Sequence, residues 1–489
     1  MRKKHTVEKI GGTSMSAYEA VRDNIVLYPL NGEPLSTENI SMLYHRIFVV
    51  SAYGGITDLL LEPKQTGKPG LLQLYSNDSE SGQWREMLET VRAAMYEKNR
   101  ELFKDEGQLK EANRFIGERL DQAESCMADL KSLCRHGHFS MPDMLDSLRE
   151  MLACIGEAHS AWNTAALLKN EGINACYVDL TGWYGDENYD LDELIRRSFR
   201  EIDVSTTMPI VTGYARSKTG LMQIYDRGYS EMTFSRIAVL TEAREAIIHK
   251  EFHLSSADPR VVGEQNAVPI GRTNYEVADY LALLGMEAIH PKAAKGMRQA
   301  GIPLRLCNTF EPEHYGTLID NEYISERPRV EIIAGRSDVL ALEFFDQDIA
   351  GELVQASEEL VRILKKYNLD LLTKEYSANA VTLYLDGEEN QLQRLANEIG
   401  ARYPEAEVST QRVSIVSILG SDMKEPGMLS KAVSVLASKD ISVLAVQQSM
   451  RQVAIQLVVS HDKYTEAVRA LHSELVEVHD HGRAICLAC

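Results

Sequence analysis

Short apolar runs and glycine turns alternate along the first 60 residues. The run 47–52 is almost entirely apolar, as in a buried strand; two glycines follow, and 56–61 have the composition of a helix start. Strand, glycine turn and helix in this order form the basic unit of α/β folds. The same alternation of apolar runs and turns returns over 173–335, where further strands are predicted at 175–179, 208–213 and 302–308.

Between these two α/β regions the pattern becomes that of helices. From about residue 84 to 168 glycine and proline are rare, and apolar residues recur at helical spacing, as at Val91, Ala94 and Met95. Such spacing predicts a helical block that packs on a sheet or on a partner subunit. The preceding residues 62–82 are rich in loop-forming types and are predicted to form a loop.

A repeat of pattern rather than of sequence occupies the C-terminal part. Residues 331–408 and 409–489 each show the order strand, helix, strand, strand, helix, with an offset of about 74 residues. This order predicts two ferredoxin-like α+β units, separate or interleaved, which is typical of small-molecule sensing or of dimerisation. Residues 1–325 are predicted to form an αβα sandwich that includes the helical block.

The charge and composition of the chain limit the kinds of molecule that it is expected to bind. The 489 residues include 72 acidic and 52 basic side chains, a formal net charge of −20. A surface of this sign repels nucleic-acid backbones and anionic lipids, so neither partner is expected. No apolar run reaches the ~18 residues of a membrane span. The seven cysteines are odd in number and scattered apart from Cys486 and Cys489; they indicate reduced thiols, and a cytoplasmic protein is predicted.

Glycine- and hydroxyl-containing motifs follow the predicted strands, where open α/β sheets bind ligands. The first, at 9–14, reads Lys-Ile-Gly-Gly-Thr-Ser. Its glycines let the backbone approach an anion closely, and its lysine supplies the positive charge that phosphoryl transfer needs. Taken alone, it suits a plain turn equally, and it lacks P-loop spacing. The other motifs lie at 51–58, 155–162, 226–233, 255–260, 308–312 and 316–319.

Together and in this order, the motifs resemble those of aspartokinase, in the amino-acid kinase superfamily. The family's Lys-Phe-Gly-Gly-Thr-Ser, Ser-Ala-x-x-Gly-Ile-Thr, Gly-Glu, Arg-Gly-Gly-Ser-Asp, Asp-Pro-Arg, His-Pro and Asn-Thr-Phe-Glu-Pro elements are matched at 9–14, 51–57, 156–157, 227–231, 258–260, 290–291 and 308–312. The C-terminal units are similar to the family's ACT domains. The first motif and the altered Arg-Gly-Tyr-Ser-Glu loop are most similar to aspartokinases encoded with ectoine-biosynthesis enzymes.

The resemblance implies transfer of the γ-phosphoryl group of ATP to the side-chain carboxylate of L-aspartate, giving 4-phospho-L-aspartate, the first step of the aspartate-family pathway and a source for ectoine synthesis. The implied catalytic residues are Lys9, Arg227 and Glu231. The implied aspartate-binding residues are Thr57, Glu157, Arg227 and Ser230. The implied ATP-binding residues are Lys9, Gly11, Gly12, Ser51, Asp258 and Arg260. Mg²⁺ is implied as a cofactor held mainly by ATP phosphates and water, so no protein metal ligand is expected.

Each implied role has a chemical reason. The attacking carboxylate is already a nucleophile, so positioning and charge neutralisation suffice and no general base is needed. In this resemblance Arg227 pairs with a substrate carboxylate, preferably as a bidentate fork, and Glu157 holds the substrate ammonium. Glu231 replaces the family's aspartate and would orient Lys9 from one methylene further away.

Two departures from the family pattern concern the nucleotide pocket. The family's Thr-Asp-Val-x-Gly-Val-Tyr is here His-Lys-Glu-Phe-His-Leu-Ser at 249–255, and its Gly-Ala-Lys is Gly-Met-Glu at 285–287. The second change replaces a lysine with Glu287, which Lys292 would compensate. Two alternatives therefore stay open. One is a degenerate homologue that acts as an amino-acid-binding regulatory subunit, and the other is a kinase of another amino-acid carboxylate, such as glutamate.

The resemblance also implies regulation and assembly. An amino-acid effector, threonine or lysine by family expectation, is predicted at the loops 346–351 and 421–427, and a homodimer or homotetramer is predicted to form through the ACT-like units. The alternative is that these units only join subunits.

Overall fold

The computed structural model describes residues 4–62, 68–77, 82–136, 138–184, 189–218, 220–225, 228–286, 289–347, 353–367 and 369–477. These residues divide into two compact units. Unit 1 covers those within Met1–His253 and Ile289–Asn321, and unit 2 those within Leu254–Ala288 and Glu322–Leu487. Across the described ranges, no helix is both long enough and apolar enough to cross a membrane.

The strands, in chain order, are β1 (Thr6–Ile10), β2 (Arg46–Val50), β3 (Ala175–Val178), β4 (Met208–Thr212), β5 (Glu245–Lys250), β6 (Arg272–Asn274), β7 (Leu304–Asn308), β8 (Thr317–Asp320), β9 (Ile332–Phe345), β10 (Asp370–Tyr376), β11 (Ala380–Asp386), β12 (Glu407–Leu419), β13 (Val443–Gln448) and β14 (Ala454–Ser460). The α-helices are α1 (Gly12–Ser16), α2 (Tyr18–Val21), α3 (Ile56–Leu60), α4 (Leu71–Asn77), α5 (Gln83–Leu102), α6 (Glu106–Cys134), α7 (Met141–Asn170), α8 (Leu191–Ser198), α9 (Leu221–Tyr225), α10 (Tyr229–Leu240), α11 (Pro259–Val262), α12 (Tyr275–Leu283), α13 (Pro291–Ala300), α14 (Leu353–Leu364), α15 (Glu389–Arg402), α16 (Met428–Ala437) and α17 (Tyr464–His472).

A mainly parallel sheet forms the centre of unit 1. Its strands pair in the order β3-β4-β2-β1-β5-β7-β8, and only β8 runs antiparallel to its neighbour β7. All residues of β1 and β4 are buried, as expected for strands covered on both faces. The register places Lys9 of β1 opposite Val49 of β2 and Ile248 of β5, so the carboxyl ends of these strands lie at one edge.

Three long helices, α5, α6 and α7, form the helical block of unit 1. The buried residues of α5 recur at helical spacing, as in Leu88, Val91 and Met95, which is the pattern that predicted the helix. Helix α7 packs on β3 and β4. Its Gly156 permits close approach, because a Cβ there would lie 2.8 Å from the Cβ of Ala52. The block therefore brings α7 against the glycine turn that follows β2.

Unit 2 contains a six-stranded antiparallel sheet in the order β10-β11-β9-β12-β14-β13. Each half has the predicted order strand, helix, strand, strand, helix, and the halves join through β9 and β12. The predicted fold class, an α/β region followed by two ferredoxin-like α+β units, is confirmed. In the sheet the three strands of each half are adjacent, and β9 and β12 join the halves.

The segment 254–288 belongs to unit 2, although the sequence-based boundary at residue 325 grouped it with residues 1–253. Its apolar residues Ala257, Ile270 and Val277 lie in the same core as Ile332 and Val416. Apolar side chains in a sequence show that a core exists, but not which of two cores they join, and this explains the difference.

Candidate active site

The carboxyl ends of neighbouring strands in unit 1 are joined by backbone hydrogen bonds. The N–H of Gly11 donates to His249 O at 3.1 Å, and the N–H of Ser51 donates to Ile10 O at 3.2 Å. The N–H of Gly213 donates to Val50 O at 3.0 Å. Three glycine- or serine-containing turns therefore lie at adjacent strand ends, where open α/β sheets bind ligands.

The first two turns approach each other closely. A Cβ on Gly12 would lie 2.8 Å from the carbonyl oxygen of Ala52, so only glycine fits there. The hydroxyl of Ser16 accepts the N–H of Gly54 at 2.8 Å and donates to Gly12 O at 3.2 Å. The result is a rigid, mostly main-chain surface, which suits close contact with phosphate oxygens.

Lys9 and Glu231 form an ion pair at this edge. Lys9 Nζ lies 3.5 Å from Glu231 Oε1, and both side chains are nine-tenths or more buried. Glu231 Oε2 accepts the backbone N–H of His290. Burial alone would raise the pKa of Glu231, but Lys9, Lys250 and the His290 N–H outweigh it and lower the pKa below its usual value.

Lys250 and His290 are functional candidates that the sequence analysis did not assign. Lys250 ends β5, and its charge acts on Glu231. Its position at a strand end, like that of Lys9, was a signal that could have identified it. His290 precedes α13 within a motif noted in the sequence, and a Cβ on Gly228 would lie 2.5 Å from its ring, so glycine is required beside it.

Glu157 of α7 is a buried carboxylate with one oxygen that has no partner among the described residues. It is 2% exposed, and its Oε2 has no hydrogen-bond partner within the described ranges. Burial raises its pKa to about 8, while Lys9, the backbone N–H of Tyr214 and the hydroxyl of Tyr229 act in the opposite direction. An incompletely paired carboxylate at this depth favours a cationic ligand.

Ser230, Glu157 and the end of β4 converge at Gly213. A Cβ there would lie 3.0 Å from Ser230 Cβ and 3.1 Å from Glu157 Oε1. Thr57, half-buried on α3, follows Ile56, whose side chain would touch a Cβ on Gly156 at 3.1 Å. The structure therefore brings together Lys9, Gly11, Gly12, Ser51, Glu157, Ser230 and Glu231, and it places Thr57 on α3 next to Ile56, which contacts α7.

The remaining predicted residues are not placed at this site. Arg227 and Glu287 lie outside the described residues. Asp258 and Arg260 lie in unit 2, where Arg260 Nη2 contacts Asp258 Oδ2 at 2.8 Å. The Arg260 side chain is 90% exposed, and its hydrogen bond lowers the pKa of Asp258. Lys292 Nζ donates to Ile224 O at 3.4 Å.

A cavity of unit 1, about 840 Å³, lies on the side of β1 that carries Glu8 rather than Lys9. Arg46 holds Glu8 with two hydrogen bonds of 2.6 and 2.8 Å, and His249 Nε2 lies 2.9 Å from Glu8 Oε2. These groups satisfy one another, whereas one oxygen of Glu157 has no partner in the part of the chain that the structure describes. Across the described ranges, no three potential metal-binding side chains group together.

Two protein-family models match the chain. The model of the amino acid kinase family matches residues 4–308, and an ACT domain model matches residues 416–475. The first match contains the whole edge described above, and the second lies in the second half of the antiparallel sheet.

The chain is also similar in sequence to aspartate kinases. The aspartate kinase Ask_Ect of Stutzerimonas stutzeri (strain A1501) is 50% identical over 484 residues, which cover 99% of this chain and 100% of the relative. An aspartokinase of Candida albicans is 25% identical over 381 residues, 69% of each chain.

Solved structures share the fold. The structure of E. coli aspartokinase III in complex with aspartate and ADP (R-state) matches with a TM-score of 0.71 and 20% identity, over 97% of this chain and 100% of that chain. The same enzyme with lysine and aspartate (T-state) matches with a TM-score of 0.69 and 21% identity, with the same coverage of both chains.

Proposed function

The chain belongs to the amino acid kinase family and is an aspartate kinase, and we propose that the ion pair Lys9–Glu231 and the buried carboxylate Glu157 form its catalytic centre. The observation that carries this proposal is their convergence at one sheet edge: a buried ammonium group beside two glycine turns, and a carboxylate oxygen without a partner among the residues described. The ammonium group of Lys9 suits contact with the phosphoryl group during its transfer. The carboxylate oxygen of Glu157 suits contact with the ammonium group of an amino acid.

Phosphoryl transfer at this centre depends on placement and charge. The side-chain carboxylate oxygen of aspartate forms a bond to the γ-phosphorus of ATP, and the bond from that phosphorus to the β–γ bridging oxygen breaks, releasing ADP. Lys9 neutralises the charge that develops on the phosphoryl oxygens, and Glu231 holds Lys9 in place. Lys250 adds a second positive charge at the same edge.

The acceptor is oriented by groups around Gly213. Glu157 binds the α-ammonium group, which supplies the partner that its Oε2 lacks within the described chain. Ser230 and Thr57 hydrogen-bond the substrate, and Arg227 pairs with one of its carboxylates, as the family motif implies. Aspartate is thus held by both ends, with its side-chain carboxylate directed to the phosphoryl group.

ATP is held through its phosphates. Gly11, Gly12 and Ser51 belong to the main-chain surface formed by the first two turns, which supports a phosphate-binding role. Asp258 and Arg260 stay proposed nucleotide contacts on the strength of the family motif alone. Mg²⁺ would be held mainly by ATP phosphates and water, and it would supply further neutralisation of the phosphate charge.

The ACT units would bind an amino-acid effector and join subunits. The edge strand β13 exposes Leu444 and Val446, 49% and 40% accessible, and unpaired apolar edges favour association. We propose a homodimer or homotetramer through these units, which sedimentation at several concentrations would test. The product would feed ectoine synthesis, as the first motif and the altered Arg-Gly-Tyr-Ser-Glu loop suggest.

One assay tests the catalytic proposal against its alternatives. Hydroxylamine traps an acyl phosphate as a hydroxamate, so the folded protein is incubated with Mg-ATP and either aspartate or glutamate. Hydroxamate from aspartate is expected. Its formation from glutamate alone would identify another acceptor. No hydroxamate from either acid would contradict the active centre and leave a regulatory subunit, detected as amino-acid binding by calorimetry.

A further inference from the structure

One lysine of the helical block reaches the first glycine turn. Lys98 of α5 donates from Nζ to the backbone carbonyl of Ser16, the last residue of α1, at 2.9 Å. The same ammonium group donates to Glu101 Oε2 at 2.8 Å and lies 5.5 Å from the centre of the Tyr53 ring, within the range of a cation–π contact. Only 17% of the Lys98 side chain is exposed, which is low for a lysine.

Ser16 is the residue through which the two glycine turns meet. Its hydroxyl accepts the N–H of Gly54 at 2.8 Å and donates to Gly12 O at 3.2 Å. A Cβ on Gly54 would lie 3.0 Å from the same hydroxyl oxygen, so the fit is close on this side as well. Carbonyl groups at the end of a helix lack intrahelical partners, and a cation beside them is favourable. The separation of the turns therefore depends on Ser16, whose carbonyl Lys98 holds.

The neighbouring residue, Asn99, fixes α5 against α7. Its Oδ1 accepts hydrogen bonds from His159 Nε2 at 2.7 Å and Asn163 Nδ2 at 2.8 Å, both of α7. Its own Nδ2 donates to Asn113 Oδ1 of α6 at 2.9 Å. Burial and the charge of Lys98 lower the pKa of His159 to about 3, so the ring is neutral. Because Asn99, His159 and Asn163 are fully buried, this network fixes the position of the adjacent Lys98 relative to α7.

We propose that Lys98 is a positioning residue for the nucleotide: from the helical block it holds Ser16, and thereby the spacing of the two glycine turns that receive the phosphates of ATP. This inference rests on the proposed role of those turns in binding ATP. It assigns to α5 a part in the reaction that the sequence motifs do not indicate, because Lys98 lies outside all of them.

Lys98→Met tests the proposal, because methionine keeps an unbranched side chain beside Tyr53 and removes the ammonium group. We expect the KM for ATP to rise about tenfold, as for loss of a hydrogen bond from a charged group, with the KM for aspartate within about twofold. The affinity for Mg-ADP measured by calorimetry should fall by a similar factor. Lys98→Arg keeps a charged donor and should recover part of the ATP affinity.

Hydrogen exchange gives a readout that needs neither substrate nor turnover. The N–H of Gly54 is bonded to the Ser16 hydroxyl, so the peptide that contains Gly54 should exchange faster in Lys98→Met than in the wild type. Circular dichroism checks the fold of each variant. Lys98→Gln, which has a neutral donor, takes the place of Lys98→Met in all these measurements if the latter does not fold.

Lys104→Met is the matched control. Lys104 also lies in the helical block and donates to a backbone carbonyl, that of Glu101 at 2.9 Å, but it is exposed. Glu101→Gln is a second control, since it removes the charge of the other partner of Lys98 and leaves the bond to Ser16 in place. Exposed ion pairs of this kind contribute little. Both controls should leave the KM for ATP and the exchange of the Gly54 peptide unchanged.

Other outcomes overturn the proposal. An unchanged KM for ATP in Lys98→Met would do so, even with a lower melting temperature, because the role of Lys98 would then be merely structural. Equal changes in Lys98→Met and Lys104→Met would do so as well. A wild-type protein that binds Mg-ADP without turnover would contradict the catalytic centre, and the calorimetric comparison would still decide whether Lys98 serves nucleotide binding. A wild-type protein without affinity for Mg-ADP would overturn both.

Discussion

Lys9 and Glu231 meet across a gap of 3.5 Å although they lie on β1 and α10, far apart in the sequence. Both are buried, so neither charge is stable there without the other or another partner. Glu231 is also held by the backbone N–H of His290. The pair is therefore a fixed element of the site, and several measurements follow from it.

Lys9→Ala should lower kcat by about 10³-fold, because the lysine acts on charge that develops during the transfer. The rate of hydroxamate formation from aspartate measures this effect, and circular dichroism checks the fold. Lys104→Ala serves as the control, since Lys104 is exposed and donates only to Glu101 O. A Lys9 variant with normal kcat would disprove the assigned role.

Glu231→Gln should destabilise the protein by about 3 kcal/mol, because it leaves Lys9 buried beside an uncharged partner. The double variant Lys9→Met with Glu231→Gln should recover part of that loss, which urea unfolding would measure. The stabilisation by Glu231 is present above the ordinary pKa of a glutamate and disappears as the pH falls through its lowered pKa. Additive losses in the double variant would argue against a coupled pair.

The activity should depend on pH through Glu157, whose pKa of about 8 must be exceeded before the free protein presents a carboxylate. We expect kcat/KM for aspartate to rise with pH up to about 8 and then level. The kcat profile should be flatter, since the bound ammonium lowers that pKa in the complex. A kcat/KM that stays constant between pH 6 and 9 would contradict the assignment.

The same raised pKa has a consequence for stability. Ionising Glu157 costs folding energy from the ordinary glutamate pKa upward, and the cost grows until about pH 8. Glu157→Gln should therefore raise the melting temperature more at pH 8 than at pH 6, while aspartate binding is lost. A melting temperature that falls equally at both pH values would disagree with this view.

Gly12→Ala should raise the KM for ATP, because the new Cβ would lie 2.8 Å from a backbone oxygen and push the two glycine turns apart. Gly400→Ala is the control, since a Cβ there meets nothing within 4 Å and the residue is inside α15. That control should gain about 0.5–1 kcal/mol of stability. Equal KM values for the two variants would remove Gly12 from the phosphate site.

The apolar runs and the glycine turns after them were sufficient to predict the strand ends and the residues that follow them. Lys9, Gly11 and Ser51 follow or end apolar runs, and parallel pairing brings such positions together. The two halves of the six-stranded sheet were predictable because their element order repeats, but their joining through β9 and β12 was not. These features depend on residues close in the sequence or on a general rule of sheet topology.

Contacts between distant elements were not predictable in this way. Nothing in the sequence shows that the N–H of His290 reaches Glu231, or that Ser230 and Glu157 meet at Gly213. Such contacts depend on how α7, α10 and α13 pack, and many packings share one hydrophobic pattern. The segment 254–288 joined the other core for the same reason.

The pairing of β9 with β12 joins the two halves of the antiparallel sheet by continuous hydrogen bonding. The strands are hydrogen-bonded from Phe345 opposite Glu407 to Ile332 opposite Leu419, with one irregularity between Val413 and Ile415. A change in the twist of one half is therefore transmitted to the other half through the hydrogen bonds between β9 and β12, and is not absorbed by a linker. Binding of an amino-acid effector at the loop 421–427 should therefore slow hydrogen exchange in both halves of the sheet.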